Sequence, residues 1–401
     1  MNKNIWLFHH YADPPDGHWT NHYDLFRVMV QKGYKVTIFT SSFSHYSRKD
    51  VRLKLNEKFK EQYIGGIRFI FIKTTPYYDN GKNRYLSFLT YGYRAYRLGI
   101  KDKEVPDVII GSSPHPLCAL AAMMVANKRK TKFFFEVHDL WPQFFIEIGA
   151  FSQRHPITFL TRWIEKLLLK RAERVLPLWP RMDLYFESLG IPKNKCVWMP
   201  MGVNCDELNS ENMRPDSNKT DFIVMYRGRF GATQDMETIL QSAKLISVKN
   251  NNIRFVIVGE GPEREKLISY VNNNALNNVQ FRGFLPKDQM QNDIAGADVL
   301  LGSLPDLPHF MRYGMISSKL LDYLSANRPV IFATGVKNHL LTLAGAGFVV
   351  PPKDSEALAD TILKVASMSP EDRSCLGANG LKYIRENHDV KMLADRLASI
   401  I

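Results

Sequence analysis

One rhythm runs through all 401 residues and limits the folds open to this chain: a short run of β-branched and aromatic residues, a polar or Gly/Pro-rich turn, then a helical stretch. NIWLFHH, YKVTIFTSS, IRFIFIK, PDVIIGSSP, TKFFFEVHD and RVLPLWP read as strands in the first half. Between the first two, HYDLFRVMVQKG places Leu25, Val28 and Met29 at helical spacing and ends on Gly33, a helix C-terminal cap. After the polar stretch NSENMRPDSNKTD the pattern restarts with DFIVMYRG, NIRFVIVGEG, NVQFRGF, ADVLLGSLP, RPVIFATG and AGFVVPP. Strands alternating with helices predict an α/β fold whose parallel sheets are covered on both faces. The chain is too long for one hydrophobic core, which stops growing at about 250–300 residues. The reading is two open α/β domains, residues 1–200 and 201–375, with helices in 376–401 packing back across both.

Hydrophobic residues at 45% and charged ones at 23% describe a soluble globular protein. The longest apolar run, around Pro116 to Ala126, is far short of the roughly 18 residues that span a bilayer. MNKNIWLFHH enters a strand-like segment with no signal-peptide arrangement, so a cytoplasmic location is expected. Cys118, Cys196, Cys205 and Cys375 are scattered, without CxxC or zinc spacing, and read as reduced thiols.

The net charge of +13 is concentrated: His45 to Lys101 holds 13 Lys or Arg against four Asp or Glu. YYDNGKNRYLSFLTYGYRAYRLGIK interleaves Arg84, Arg94, Arg97 and Lys101 with Tyr85, Phe88, Tyr91 and Tyr93. One reading is a solvated basic helix with its rings turned into the core. The other is an interfacial patch, with cations on anionic headgroups and rings at their level. TRWIEKLLLKRAERV carries the same two readings. No recognition motif accompanies the charge, so no nucleic-acid partner is expected.

Ligands of open parallel sheets bind beyond the carboxyl ends of the strands. With two such domains facing each other, the expected site is the cleft between them. FFFEVHDLWPQFF drives an aromatic strand into Glu136, His138 and Asp139, so His138 is either a solvated strand end or delivered to a site, with Trp141 and Pro142 as the turn behind it. DPPDGHWTNH puts Gly17 before a helix N-terminus, where free N–H groups suit a phosphate or a sugar hydroxyl. In YRGRFGATQD, Gly228 lets a ligand approach and Arg229 offers a fork to paired anionic oxygens, or a surface salt bridge. VIVGEGPE supplies Gly259 and Gly261, but it is not GxGxxG and no acid stands at ribose distance, which argues against a dehydrogenase. In YGMISSKLLDYLSANRPVI, Ser317 and Ser318 can cap a helix whose first turn holds Lys319, unfavourable against the helix dipole unless an anion is present. Asp322 lies one turn on, so the two form either a local pair or a nucleotide clamp with lysine on phosphate and carboxylate on ribose.

MPMGVNCDEL, YRGRFGATQDMETILQSA, FVIVGEGPEREKL, NVQFRGFLPKDQM and SSKLLDYLSANRPVI, in that order, resemble the C-terminal domain of retaining glycosyltransferase family 4, of the GT-B fold. DPPDGH, LFRVMVQKGYKVTIFT and EVHDLWP resemble the matching acceptor-side domain, especially in the bacterial branch that builds capsule and O-antigen units. The resemblance implies a nucleotide diphosphate sugar donor, by family preference UDP-linked, and a polyprenyl-diphosphate-linked sugar acceptor. His138 then matches the histidine that bonds the donor sugar, Arg229 the phosphate-binding arginine, and Asp322 the ribose-binding acid. Lys319 matches a Ser-Lys variant of the branch, while Phe284 and Leu285 stand where the base is read. Two departures count: Thr233, Gln234 and Asp235 stand where a second basic residue is common, and Gly314 replaces a frequent glutamate.

The family's retention of configuration implies front-face attack, with the leaving phosphate oxygen accepting the acceptor's proton. Positive charge for that diphosphate is the protein's main task, met by Arg229, Lys319 and helix N-termini. No Asp-x-Asp pair marks a metal site, so metal-independent transfer at the inner membrane face is expected. A nucleotide-sugar epimerase or hydrolase of the same fold and a non-catalytic nucleotide-sugar-binding module are the rival readings.

Overall fold

The structure is a computed structural model that describes residues 3–401 except 18–19, 80, 148, 209–220, 232–233, 251, 284–292, 295, 308–310 and 337–338. The chain divides into two compact units, Met1–Asn204 with Asp389–Ile401, and Cys205–His388. The first unit holds β1 (Asn4–Phe8), α1 (Asn21–Gln31), β2 (Lys35–Ser41), β3 (Phe59–Ile64), β4 (Ile67–Ile72), α2 (Lys82–Lys101), β5 (Val108–Ser112), α3 (Pro116–Arg129), β6 (Lys132–Val137), α4 (Gln143–Glu147), α5 (Pro156–Arg171), β7 (Arg174–Pro177) and α6 (Met182–Ser188). The second holds β8 (Phe222–Arg227), α7 (Met236–Ser247), β9 (Ile253–Val258), α8 (Arg264–Asn273), β10 (Val279–Arg282), β11 (Val299–Ser303), α9 (Ser318–Ser325), β12 (Val330–Ala333), α10 (Leu340–Ala344), β13 (Gly347–Val350), α11 (Ser355–Ser367) and α12 (Pro370–Asn387). The last helix, α13 (Val390–Ala398), belongs to the first unit.

The sheet orders are β3-β4-β2-β1-β5-β6-β7 and β10-β9-β8-β11-β12-β13. Apart from β3, each is the doubly wound 3-2-1-4-5-6 order, so strand order reverses between β1 and β5 and between β8 and β11. All five residues of β1 and of β5 are buried, as helices on both sheet faces require. Trp6 lies between Thr37 and Ile109 in register, which carries the carboxyl ends of β1 and β5 to one edge of the unit.

β3 departs from the all-parallel expectation. FKEQYI is almost wholly exposed and pairs antiparallel with β4 through a two-residue turn. Gly65 and Gly66 have φ of 58° and 82°, the pair of left-handed residues that a tight hairpin turn demands. An edge strand with one solvated face needs no apolar run, so only IGGI marked it in the sequence.

The C-terminal tail divides where one crossing segment was expected. α12 stays with the second unit, where a Cβ at Gly377 would lie 2.4 Å from the Asn327 carbonyl oxygen. α13 instead completes the first unit's core, with Leu393, Ala394 and Leu397 buried among Tyr23, Phe26 and Met29. Lys32 pairs with Asp395 at 2.6 Å on the rim of that contact.

Candidate active site

In the first unit the carboxyl ends of β1, β5 and β6 bring four histidines and one acid together. The strand reading of FFFEV holds, but Glu136, not only His138, is delivered. Its Oε2 accepts from His22 Nε2 and from His138 Nε2, each at 3.0 Å. His22 comes from the first turn of α1, and the His138 amide donates to Ser113 Oγ at 3.2 Å. Glu136 is 9% exposed and His138 7%, so the pair sits in protein. Burial alone would raise the Glu136 carboxyl, but the two imidazoles hold it well below the usual carboxylate range. Burial alone would lower His138, yet the Glu136 charge, helped by Asp139, wins and leaves it above its ordinary value. A charged acid with a readily protonated histidine is the arrangement of a proton-holding or sugar-positioning pair.

The other histidines do different work. His10 Nδ1 meets His115 Nε2 at 2.7 Å; His10 stacks on Tyr91 and His115 on Phe88, with centroids 4.5 and 4.1 Å apart. Burial drives His10 down to about 3 and His115 well below its ordinary value, so both are neutral and lock β1 to α2 and α3. Ring nitrogens of His9, His22 and His138 lie within 4.8 Å of one another, a donor set of the kind zinc takes. The Nε2 atoms of His22 and His138 are already engaged by Glu136.

In the second unit, Lys319 is not an exposed helix neighbour of Asp322 but turns to β8 and the segment after it. Its ammonium lies 5.0 Å over the Tyr226 ring, donates to the Tyr226 hydroxyl at 3.0 Å and to Gln234 Oε1, and is pulled down to about 7 by burial against the attraction of Asp322. Gly228 makes this possible, because a Cβ there would meet Lys319 Cδ at 2.6 Å. The Tyr323 hydroxyl accepts from the Arg227 amide at 2.8 Å and donates to the Arg227 carbonyl, tying α9 to the end of β8. Arg229, just beyond, is exposed and makes no ion pair among the described residues.

Three glycines are explained without a ligand. A Cβ at Gly259 would lie 1.9 Å from the Gly228 oxygen and one at Gly261 2.1 Å from the Phe230 oxygen, so both let the β8 and β9 loops touch backbone to backbone. A Cβ at Gly17 would strike the Asp13 side chain at 2.3 Å, and the Gly17 amide already donates to Pro14 at 2.8 Å. Gly314, with φ of 75°, occupies a left-handed turn that a glutamate adopts only under strain. Ser317 stands at the α9 N-cap, but its hydroxyl makes no capping bond, contrary to expectation; Ser318 is exposed. Phe284, Leu285 and Thr233 lie outside the described residues.

The basic patch also needs correction. Tyr91 is fully buried with its hydroxyl on the Phe39 carbonyl, so it is core, while Phe88 is buried beneath Arg84. Arg94 donates to the Lys73 carbonyl, and Arg97 lies over the exposed Tyr93 ring at 5.8 Å. His22, Tyr226 and Tyr323 went unmarked in the sequence, and Glu136 and Gln234 were noted without a role, since His22 lies 114 residues from Glu136 and Tyr323 lies 96 from Arg227, while Lys319 lies 93 from Tyr226 and 85 from Gln234.

The profile described as Glycosyltransferase Family 4 matches residues 16–207, and Glycosyl transferases group 1 matches residues 209–383. An alpha-D-kanosaminyltransferase of Streptomyces kanamyceticus is 28% identical over 273 residues, 64% of this chain and 68% of its own. Among solved structures, sucrose-phosphate synthase from Thermosynechococcus elongatus aligns with a TM-score of 0.73 at 18% identity, over 100% of this chain and 98% of that one. The E. coli trehalose-6-phosphate protein bound with UDP-2-fluoro glucose aligns at 0.72 and 13% identity, over 99% and 98%. With family profiles on both units, two doubly wound sheets and these structural neighbours, the chain belongs to glycosyltransferase family 4 and has the GT-B fold.

Proposed function

We propose that this protein moves a sugar, a HexNAc or deoxy-amino sugar, from a UDP-linked donor to a lipid-linked oligosaccharide acceptor, with retention of configuration and without a metal, in surface polysaccharide synthesis at the inner face of the cytoplasmic membrane. The observation that carries the reading is Lys319. A lysine held in protein and pulled down to about 7 is a cation waiting for an anion, and its partner Gln234 lies in the stretch where the family's second basic residue is missing. Lys319 therefore supplies that charge to the diphosphate, with Arg229 exposed beside it. The kanosaminyltransferase relative supports an amino sugar, and the neighbour bound with UDP-2-fluoro glucose supports uridine.

As the bond to the leaving phosphate breaks, negative charge grows on its oxygen, and Lys319 and Arg229 stabilise it. The same oxygen takes the proton of the attacking acceptor hydroxyl on that face. His138 holds the donor sugar near the reacting carbon, and Glu136 fixes the imidazole. Asp322 binds the ribose hydroxyls. For the acceptor, an open pocket of about 850 Å³ beside α2 has a net positive lining, with Lys58, Arg68, Arg94, Arg97, Lys101 and Lys103 against Glu61, Asp102 and Glu104. It lies on the β3 and β4 edge, away from Glu136, and suits an anionic acceptor group rather than the reacting atoms.

The test is transfer from a panel of UDP-sugars to polyprenyl-diphosphate-linked acceptors, in buffer with EDTA. His138→Ala should keep UDP binding and lose roughly a hundredfold in kcat. Loss of UDP binding in that variant returns His138 to a structural role. Dependence on added magnesium or manganese sinks the metal-free mechanism. Donor turnover without acceptor identifies an epimerase or hydrolase instead, and binding without any turnover a sugar-nucleotide module.

A further inference from the structure

We infer that α5 is a membrane-docking helix that inserts Phe159, Leu160 and Trp163 into an anionic bilayer surface. The helix buries Thr158, Thr161, Ile164, Glu165, Leu168 and Leu169 against the first unit. On the opposite face Phe159 is 58% exposed, Leu160 56% and Trp163 60%, with Ile157 beside them. Large apolar side chains exposed together on one helical turn mark an interaction surface, whereas scattered ones do not.

Charge decides the partner. Arg154, Lys166, Lys170 and Arg171 rim the apolar face, exposed and without ion pairs among the described residues. The helix has one acid, Glu165, and it is buried with the Tyr185 hydroxyl bonded to it at 2.7 Å. The outer face is therefore apolar and basic with no acid at all. A second copy docked on it would set the same lysines and arginines against each other. An anionic headgroup layer meets them favourably, while the rings and Leu160 reach the acyl boundary. Among the described residues no helix is long and apolar enough to cross a membrane, so α5 lies in the interface plane. The α2 face is the weaker candidate, because Tyr91 is core and Arg94 is held by a backbone carbonyl. This inference deepens the membrane location in the proposed function and rests on that part of it, while vesicle binding is measured without donor or acceptor, so its failure is distinct from a failure of sugar transfer.

The experiment is co-sedimentation of the full chain with vesicles of phosphatidylcholine, alone or mixed with phosphatidylglycerol. The wild type should bind the mixed vesicles, less at high salt, and bind the neutral ones weakly. Phe159→Ser, Leu160→Ser and Trp163→Ser combined should weaken binding roughly a hundredfold with circular dichroism and Tm unchanged, since the residues are exposed. Undiminished binding by that variant overturns the inference. So does loss of binding only in a Lys82→Glu, Arg97→Glu, Lys101→Glu protein, which moves the surface to α2. Failure of the wild type to bind any vesicle, with or without a dimer abolished by the α5 variant, overturns it as well.

Discussion

At the scale of single residues the protein separates its cations and histidines by environment. Lys319 has an ordinary lysine's charge only after an anion arrives, because burial takes its apo value to about 7. Between pH 7 and the bound-state pKa, binding of UDP must take up a proton, so the Kd should rise about tenfold per pH unit. Lys319→Arg, charged throughout, should flatten that slope; an equal slope in the variant assigns the proton elsewhere. The unfolded chain binds this proton up to the ordinary lysine range, so the lysine's cost to stability is present below about pH 7 and is relieved as pH rises. Lys319→Met should then raise Tm at pH 6 while weakening UDP, and a lowered Tm would contradict the burial argument. Glu136→Gln keeps the shape but removes the charge that holds His138 above its ordinary value. An NMR titration should place the His138 pKa lower in that variant. An unmoved value would detach the pair. The sequence singled out His138 from its place after a strand but left Glu136 unassigned, because His22 lies 114 residues away and only the fold joins them.

At the scale of elements, the loops after β8 and β9 are fitted backbone to backbone. Gly261→Ala places a methyl 2.1 Å from the Phe230 oxygen and should cost about 1–3 kcal/mol and weaken UDP binding. Gly231 has nothing within 4 Å of its Cβ position, so Gly231→Ala is the control and should leave Tm unchanged. Equal losses in both would mean that glycine flexibility, not loop contact, matters. The strands were legible because buried parallel strands must be apolar on both sides, as all of β1 and β5 are. β3 was not, since an exposed edge strand obeys no such rule. The glycines were legible as close approaches, but not what approaches: at Gly228 it is the Lys319 side chain, 2.6 Å from where a Cβ would stand.

At the scale of the whole molecule, the last segment is a structural part of the first unit. Removing Asp389–Ile401 takes Leu393, Leu397 and Ile401 out of that core. At about 1.5–3 kcal/mol for each large side chain, the loss rivals the net stability of about 5–15 kcal/mol typical of a domain. The truncated protein should be rapidly cleaved in residues 3–204 by limited proteolysis, and protection equal to wild type would refute the packing role. The fold class was determined by sequence alone, because continuous apolar strand runs and helical-period stretches are local patterns and alternate in both halves. Arg229, Lys319 and Asp322 were singled out from motif position alone, and their roles belong to the proposed function. Only tertiary structure decided that Tyr91 is core, that Lys319 turns to Tyr226 and Gln234, that α12 and α13 part company, and that Glu136 joins two histidines. Each depends on which distant residue fills the neighbouring space, and chain order does not carry that information.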